Sequence, residues 1–219
     1  RPWFTALTVV MLAGGLGISL YTYAVLNVMF YRSLPLPDGG SMVKIGAGSW
    51  VDIELLDAFE LAELRANAKS FSELRVYRGG RSLVGQAGAT RSVRSVESDW
   101  QIFEFTRTQA ILGRGFVPDD NSDASEPVAV LSYETWQDVF SGDAGVVGEV
   151  ARINGRLTRV VGVMPQGYAF PENAELWLPL GPQDLAPIAY TNGGLQTYAR
   201  LRSGVSVEAA QTEVTSIGE

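Results

Sequence analysis

WFTALTVVMLAGGLGISLYTYAVLNVMFY, Trp3 to Tyr31, contains no Asp, Glu, Lys or Arg, and its reading decides how the rest of the chain is understood. A bilayer core about 30 Å thick takes roughly 20 apolar residues of helix. At a rise of about 1.5 Å per residue this stretch is long enough to cross with tilt, or to project beyond the lipid. The apolar centre of a secretory signal peptide is shorter, about 7–15 residues, and closes on a small-residue cleavage site. No such site precedes Arg32. A helix inside a water-soluble core seldom runs this far without a charge. Residues 1–32 are therefore expected to form a transmembrane helix that lies in a lipid bilayer and tethers a soluble body.

Within it, Ala13 and Gly17, and Gly15 and Ser19, stand four residues apart. Small side chains at that spacing leave one helix face bare, so that another helix backbone can approach closely. Ala13, Gly15, Gly17 and Ser19 are thus the expected helix-packing residues. A packing face on a single span implies partner helices beyond this sequence, so the chain is read as a piece of a longer protein. Arg1 and Arg32 flank the span equally, so the positive-inside rule gives no orientation.

The chain has 24 acids and 17 bases, net −7. Setting aside Arg1 and Arg32 leaves 15 bases against 24 acids, net −9, for the body. Such a surface disfavours nucleic acid, which needs clustered Lys and Arg, and keeps the domain soluble. With no Cys and no His, there is no disulfide, thiolate nucleophile, imidazole base or Cys/His zinc cluster. The commonest general base and the commonest metal ligand are both missing. The expectation is a non-enzyme without cofactor or metal.

Leu34-Pro35-Leu36-Pro37-Asp38-Gly39-Gly40 reads as a connector, stiff at its prolines and turning at its glycines. Met42–Ile45 reads as a strand. Asp52–Asn67 reads as a helix capped by Asp52, with Leu55, Phe59, Ala62 and Ala66 on one face. Phe71–Tyr77 reads as a second strand, giving a β-α-β layer. Beyond Gly79 the texture turns to short strands. Arg91–Val96 alternates; Pro127–Leu131 is a compact strand feeding a helix, Tyr133–Phe140. Val147–Val163 is a hairpin turning at Asn154-Gly155, because a type I′ turn needs positive φ at both central positions. Glu175–Leu180 is a strand with Trp177 buried. Tyr198–Leu201 is another, followed by a helix capped near Ser206 with Glu208 in its first turn. The strand-to-helix grammar thus returns at the end. The predicted fold class is α+β. It comprises the helix 1–32, an α/β module of 33–78 with 197–219, and an inserted strand-rich subdomain, 79–196.

Asp119, Asn121 and Asp123 sit at the first, third and fifth places of a calcium loop, but Ala124 replaces the Gly and Val130 the Glu that such a loop requires. A solvated acidic turn is expected. The glycine-rich stretches lack a following Lys-Ser/Thr, so no phosphate cradle is present. Arg75, Arg78, Arg81, Arg91 and Arg94 read as outward-facing strand arginines rather than a basic stripe for an acidic partner. Trp136, Phe170 and Trp177 read as core packing.

Several segments, in order, resemble the periplasmic core domain of MacB-like (FtsX-like) ABC transporter permeases. They are Val130-Leu131-Ser132-Tyr133-Glu134-Thr135-Trp136 with Phe140 and Gly142-Asp143, then Val146-Val147-Gly148-Glu149, Ile153-Asn154-Gly155-Arg156 and Val160-Val161-Gly162-Val163-Met164-Pro165. Glu175–Leu180, Ala199–Ser206 with Ala209, Ala210 and Gln211, and Phe30-Tyr31-Arg32-Ser33-Leu34-Pro35 continue the likeness. The resemblance implies a first membrane helix, a periplasmic domain with a porter-like α/β part interrupted by a strand-rich part, and three further helices. It implies a multi-pass protein of the bacterial inner membrane, with its soluble domain in the periplasm. ATP would be bound by a separate cytoplasmic ABC ATPase whose motion reaches the periplasm, for export or periplasmic substrate handling. A periplasmic adaptor and homo- or hetero-dimerisation through membrane helices are the further partners implied. It brings no catalytic residue. A membrane-anchored extracytoplasmic ligand-binding or signalling domain stands as the alternative.

Overall fold

The computed structural model describes residues 2–26, 36, 39–49, 52–54, 58–86, 89–122, 125–181 and 195–217. The chain divides into two units, Arg1–Gly40 and Ser41–Glu219.

The first unit carries one helix, α1 (Pro2–Leu26). The side chains described along it are exposed, Leu12, Leu16, Ile18 and Leu20 among them. Among the described residues, no helix is long and apolar enough to cross a membrane. Of the expected span 1–32, the helix is assigned over Pro2–Leu26, and residues 1 and 27–35 lie outside the described residues.

The second unit is built on a nine-stranded sheet. Its strands are β1 (Met42–Ile45), β4 (Phe71–Gln86), β5 (Ala89–Ser98), β6 (Leu112–Gly113), β7 (Val128–Leu131), β8 (Val150–Ile153), β9 (Arg156–Val163), β10 (Leu176–Pro179) and β11 (Gln196–Leu201). They run in the order β1-β11-β4-β5-β10-β7-β9-β6, with β8 pairing both β4 and β9. A separate two-stranded ribbon joins β2 (Ala47–Ser49) to β3 (Asp52–Glu54).

Two consequences of this pairing matter. At one end, β1 and β4 both lie antiparallel to the intervening β11, so β1 and β4 are parallel to each other. Their connection contains α2 (Ala58–Asn67), a crossover of the kind parallel strands require. Helix α5 (Val207–Ile217) follows β11. Ile45, Leu64, Phe71, Ala199 and Ala210 bury together between these elements. At the other end β4, β5, β10, β7, β9 and β8 pair in succession, and β8 returns to β4. That is a closed ring of six strands, which leaves no free edge around it. Its interior holds Val84, Val93, Leu131, Ile153, Val160, Val163 and Leu176, with Phe140 of α4 (Tyr133–Phe140) in the same cluster.

β4 is the shared member. It pairs β11 over Phe71–Tyr77 and β5 over Tyr77–Gln86, a continuous ribbon of about 50 Å at about 3.3 Å per residue. The expected strand Phe71–Tyr77 is thus the first half of a longer one. It passes straight through Gly79, where a Cβ would stand 2.6 Å from Glu172 Oε2. Glycine lets the strand run beneath that carboxylate.

The expected Asp52 helix is corrected. Asp52 lies in β3, and the helix is assigned from Ala58. Its buried positions are Leu61 and Leu64, whereas Phe59, Ala62 and Ala66 face solvent. Leu55 lies outside the described residues. The apolar residues of this segment are spread widely enough around the helix that periodicity picked the wrong stripe.

Other local expectations agree with the structure. The expected helix Tyr133–Phe140 is α4; Ser132, not among the expected caps, starts it with its Oγ accepting from Thr135 N at 3.0 Å. Asn154 and Gly155 take φ of 49° and 82° at the β8–β9 turn. Ser206 Oγ accepts from Ala209 N at 3.2 Å at the start of α5.

Candidate functional site

Ala13, Gly15, Gly17 and Ser19 are all exposed on α1. A Cβ added at Gly14, Gly15 or Gly17 would meet nothing within 4 Å.

The five arginines do not form one basic stripe. Arg78 pairs with Glu97 at 3.1 Å. Arg81 Nε donates to Ser92 Oγ. Arg91 pairs with Asp138 and Glu175, and Arg94 donates to Asn173 O. Arg75 departs from the expected outward orientation, with its side chain only 14% exposed. The expected acidic turn is a short 3-10 segment, Pro118–Asn121. Asp120 turns inward and accepts from Arg114 and from Val117 N, while Asn121 Nδ2 donates to Leu180 O. Asp123 lies outside the described residues. Trp177 and Phe170 are buried, with Trp177 Nε1 donating to Phe170 O at 2.9 Å, whereas Trp136 is half-buried.

The most reactive-looking surroundings are in a cleft of about 480 Å³ that no motif indicated. Arg65 comes from the last turn of α2, and Leu74 and Arg75 from β4. Asp99, Trp100 and Gln101 come from the corner between β5 and the short helix α3 (Ile102–Phe105). Pro118, Asn121 and Leu180 complete the wall.

Packing fixes the charged groups. Arg75 donates to its neighbour's carbonyl, Leu74 O, at 2.8 Å and to Glu73 Oε2 at 3.4 Å. Its guanidinium lies 6.0 Å from the centre of the Phe105 ring, which Arg200 covers at 5.0 Å. Buried Arg75 Nε has no hydrogen-bond partner. Asp99 is 8% exposed. Its Oδ2 accepts from Val76 N at 3.3 Å, and its Oδ1 is buried without a hydrogen-bond partner. Burial pushes its carboxyl up to about 6, against the opposing pull of Arg75, Arg65 and the Val76 and Gln101 backbone N–H groups. Burial also pulls Arg65 below its ordinary value; Asp99 opposes that and Arg75 adds to it. Arg65, exposed on α2, and Arg75, paired with Glu73, thus pull on the buried Asp99 carboxyl through space. The exposed Arg65 is the cleft's accessible cation, whereas Asp99 Oδ1 is closed off from solvent. Residues spaced this far apart in sequence leave no local signature.

The sequence matches the family described as MacB-like periplasmic core domain over residues 5–217. No curated protein matches it. Among solved structures, it is similar to the periplasmic region of MacB from Actinobacillus actinomycetemcomitans, with 15% identity, TM-score 0.60, and 80% of this chain and 81% of that one covered. A domain of a putative permease protein from Porphyromonas gingivalis gives 15% identity and TM-score 0.63 over 83% and 84%. The extracellular domain of the noncanonic ABC-type transporter YknZ from Gram-positive bacteria gives 11% and 0.61 over 80% and 90%. At these identities the structural likeness speaks for the fold.

Proposed function

The chain belongs to the MacB-like periplasmic core domain family, and from that premise we propose that it is the non-catalytic permease part of an ABC-type transporter. In this reading α1 is the first membrane helix, and the body works outside the cytoplasm. A separate cytoplasmic ATPase drives it, and the motion serves export or the handling of a substrate in the periplasm. The observation that carries the reading is the extent of the match. It runs from inside α1 to the last residue of α5, so the helical unit and the sheet body belong to one family pattern.

Three features support the finer parts. The stretch Trp3–Tyr31 lacks any charge, as lipid requires of a helix that spans it. The bare stripe Ala13, Gly15, Gly17 and Ser19 gives α1 a face for a second membrane helix, of this protein or of a dimer partner. β4 ties the α/β end of the sheet to the closed ring through one unbroken strand. Paired by β11 over its first half and by β5 over its second, this one strand is a direct link that can carry displacement from one end to the other. We assign 33–78 with 197–219 to the porter-like module and 79–196 to the inserted part, with β4 crossing between them.

Affinity purification of the full-length protein from its own membrane tests this. The expected result is co-purification of an ABC ATPase whose hydrolysis rate changes when the permease is removed. Recovery of a functional full-length protein with no ATPase, and no dependence of its function on ATP, would overturn the coupling.

A further inference from the structure

We propose that the outer face of the ring, where β5, β4, β8 and β9 lie side by side, docks an acidic segment of a partner protein. The segment's carboxylates sit on Arg81 and Arg152, and its aliphatic side chains cover Leu83 and Leu157. Along these strands successive residues turn in and out. Val84, Val93 and Ile153 belong to the ring's core, so their neighbours Leu83, Ser92, Arg94 and Arg152 face out, and all four are exposed. Leu83 is 52% and Leu157 61% exposed. The register brings the patch together. Gly85 lies opposite Arg152, and Arg152 lies opposite Leu157. Leu83 and Arg81 precede Gly85 on the same side of β4, at alternate positions. Arg81, Leu83, Arg152 and Leu157 thus share one face of three strands spaced about 4.8 Å apart.

Charge selects the partner. Residues 79–96 and 150–163 hold six arginines and no acid, in a body whose net charge is −9 by the sequence count. Carboxylates from elsewhere reach three of the six: Asp138 and Glu175 pair with Arg91, Glu175 with Arg94 at 3.8 Å, and Glu126 with Arg159 at 2.8 Å. Arg81 and Arg152 have neutral partners instead. Arg81 Nε donates to Ser92 Oγ at 3.2 Å, and Arg152 Nη1 to Gly155 O at 3.0 Å, which leaves most of each guanidinium's donors to solvent. Arg81 also stands directly opposite Arg94 across β4 and β5, a like-charge pairing that disfavours the sheet. A carboxylate seated over that pair relieves it. Guanidinium forks match carboxylates in geometry, and arginine is enriched at protein interfaces. The ring has no free strand edge, so recognition runs through these side chains. An anionic bilayer is disfavoured by the body's net −9. The face does not rest on the ATPase coupling and stands or falls separately from it.

The test is calorimetric titration of the full chain in nonionic detergent micelles with the blocked peptide acetyl-Glu-Leu-Glu-Glu-Leu-Glu-Glu-Leu-amide, with empty micelles as the blank. Parallel arms use the same peptide with Lys for every Glu, and dihexanoylphosphatidylglycerol below its micellar concentration. Expected are saturable binding of the acidic peptide, and at least tenfold weaker binding of the lysine peptide and of the lipid. The double variant Arg81→Gln with Arg152→Gln should bind at least tenfold more weakly, and Leu157→Ser at least threefold. Arg65→Gln with Arg202→Gln, the same loss of charge on exposed residues of the α/β end, should change the affinity less than twofold. No binding of the acidic peptide, or equal losses in the two double variants, overturns the proposal. Equal or tighter binding of the lipid also overturns it, in favour of a membrane-facing surface. Hydroxyl-radical footprinting of the unaltered protein locates the peptide without any variant. Leu83 and Leu157 should be protected when it is bound, and unchanged labelling of both would overturn the assignment.

Discussion

Asp99→Asn is expected to stabilise the protein above neutrality, and the structure sets the size. The carboxyl has an ordinary value of 3.8, raised in the fold to about 6 chiefly by burial. An acid whose folded value lies above its unfolded value favours the neutral form in the fold. Its contribution is therefore fully favourable below about pH 4 and is lost as the pH rises through about 6. The gap between 3.8 and about 6 corresponds to about 3 kcal/mol when complete. Asparagine keeps an oxygen for the Val76 N–H and carries no charge to desolvate. Urea unfolding of the full chain in detergent, followed by tryptophan fluorescence from pH 4 to pH 8, gives the readout. The variant should match the parent at pH 4 and exceed it by up to about 3 kcal/mol at pH 8. A stability difference that does not change with pH, or a variant less stable at pH 8, would refute the reasoning.

Further outcomes follow from the packing. Trp177→Ala, at a fully buried side chain, should cost roughly 3–5 kcal/mol by chemical denaturation. Gly162→Ala places a Cβ 2.1 Å from Arg114 O; because the obstacle is backbone, it should cost about 3 kcal/mol and lower the melting temperature clearly. Ser132→Ala removes the hydroxyl that accepts from Thr135 N and should cost about 1 kcal/mol in the same assay. Gly15→Leu, on the open stripe of α1, should weaken helix association in vesicles by about 1–2 kcal/mol, measured by energy transfer between labelled helices, and leave the body's melting temperature unchanged.

What was legible in the sequence was local chemistry. The helix Tyr133–Phe140 and the Asn154-Gly155 turn within Val147–Val163 each report a structure that a few adjacent residues determine. The family resemblance, carried by Val130–Trp136 and the segments after it, agrees with the match across 5–217. The start of α2 was misread because Asp52, a good cap in isolation, pairs instead with Ser49 across the β2–β3 ribbon. Ring closure was not legible either. It depends on β8 meeting β4 through Val84–Ile153 and Gly85–Arg152, a contact between residues far apart in sequence. The cleft escaped for the same reason. Arg65, Arg75 and Asp99 come from separate elements, and Arg75 looks from its strand position like any exposed arginine until Phe105 and Glu73 are placed around it.

These 219 residues contain no cysteine, so, with any cysteine elsewhere in the assembly replaced by serine, Ser203→Cys in the exposed turn before α5 gives one attachment point for a spin label. Distances between labels on two copies in the full-length, ATPase-bound assembly test the transmission of motion directly. The account predicts that trapping the ATPase with nucleotide shifts the distance distribution. An identical distribution with and without nucleotide, in an assembly that hydrolyses ATP, would contradict it.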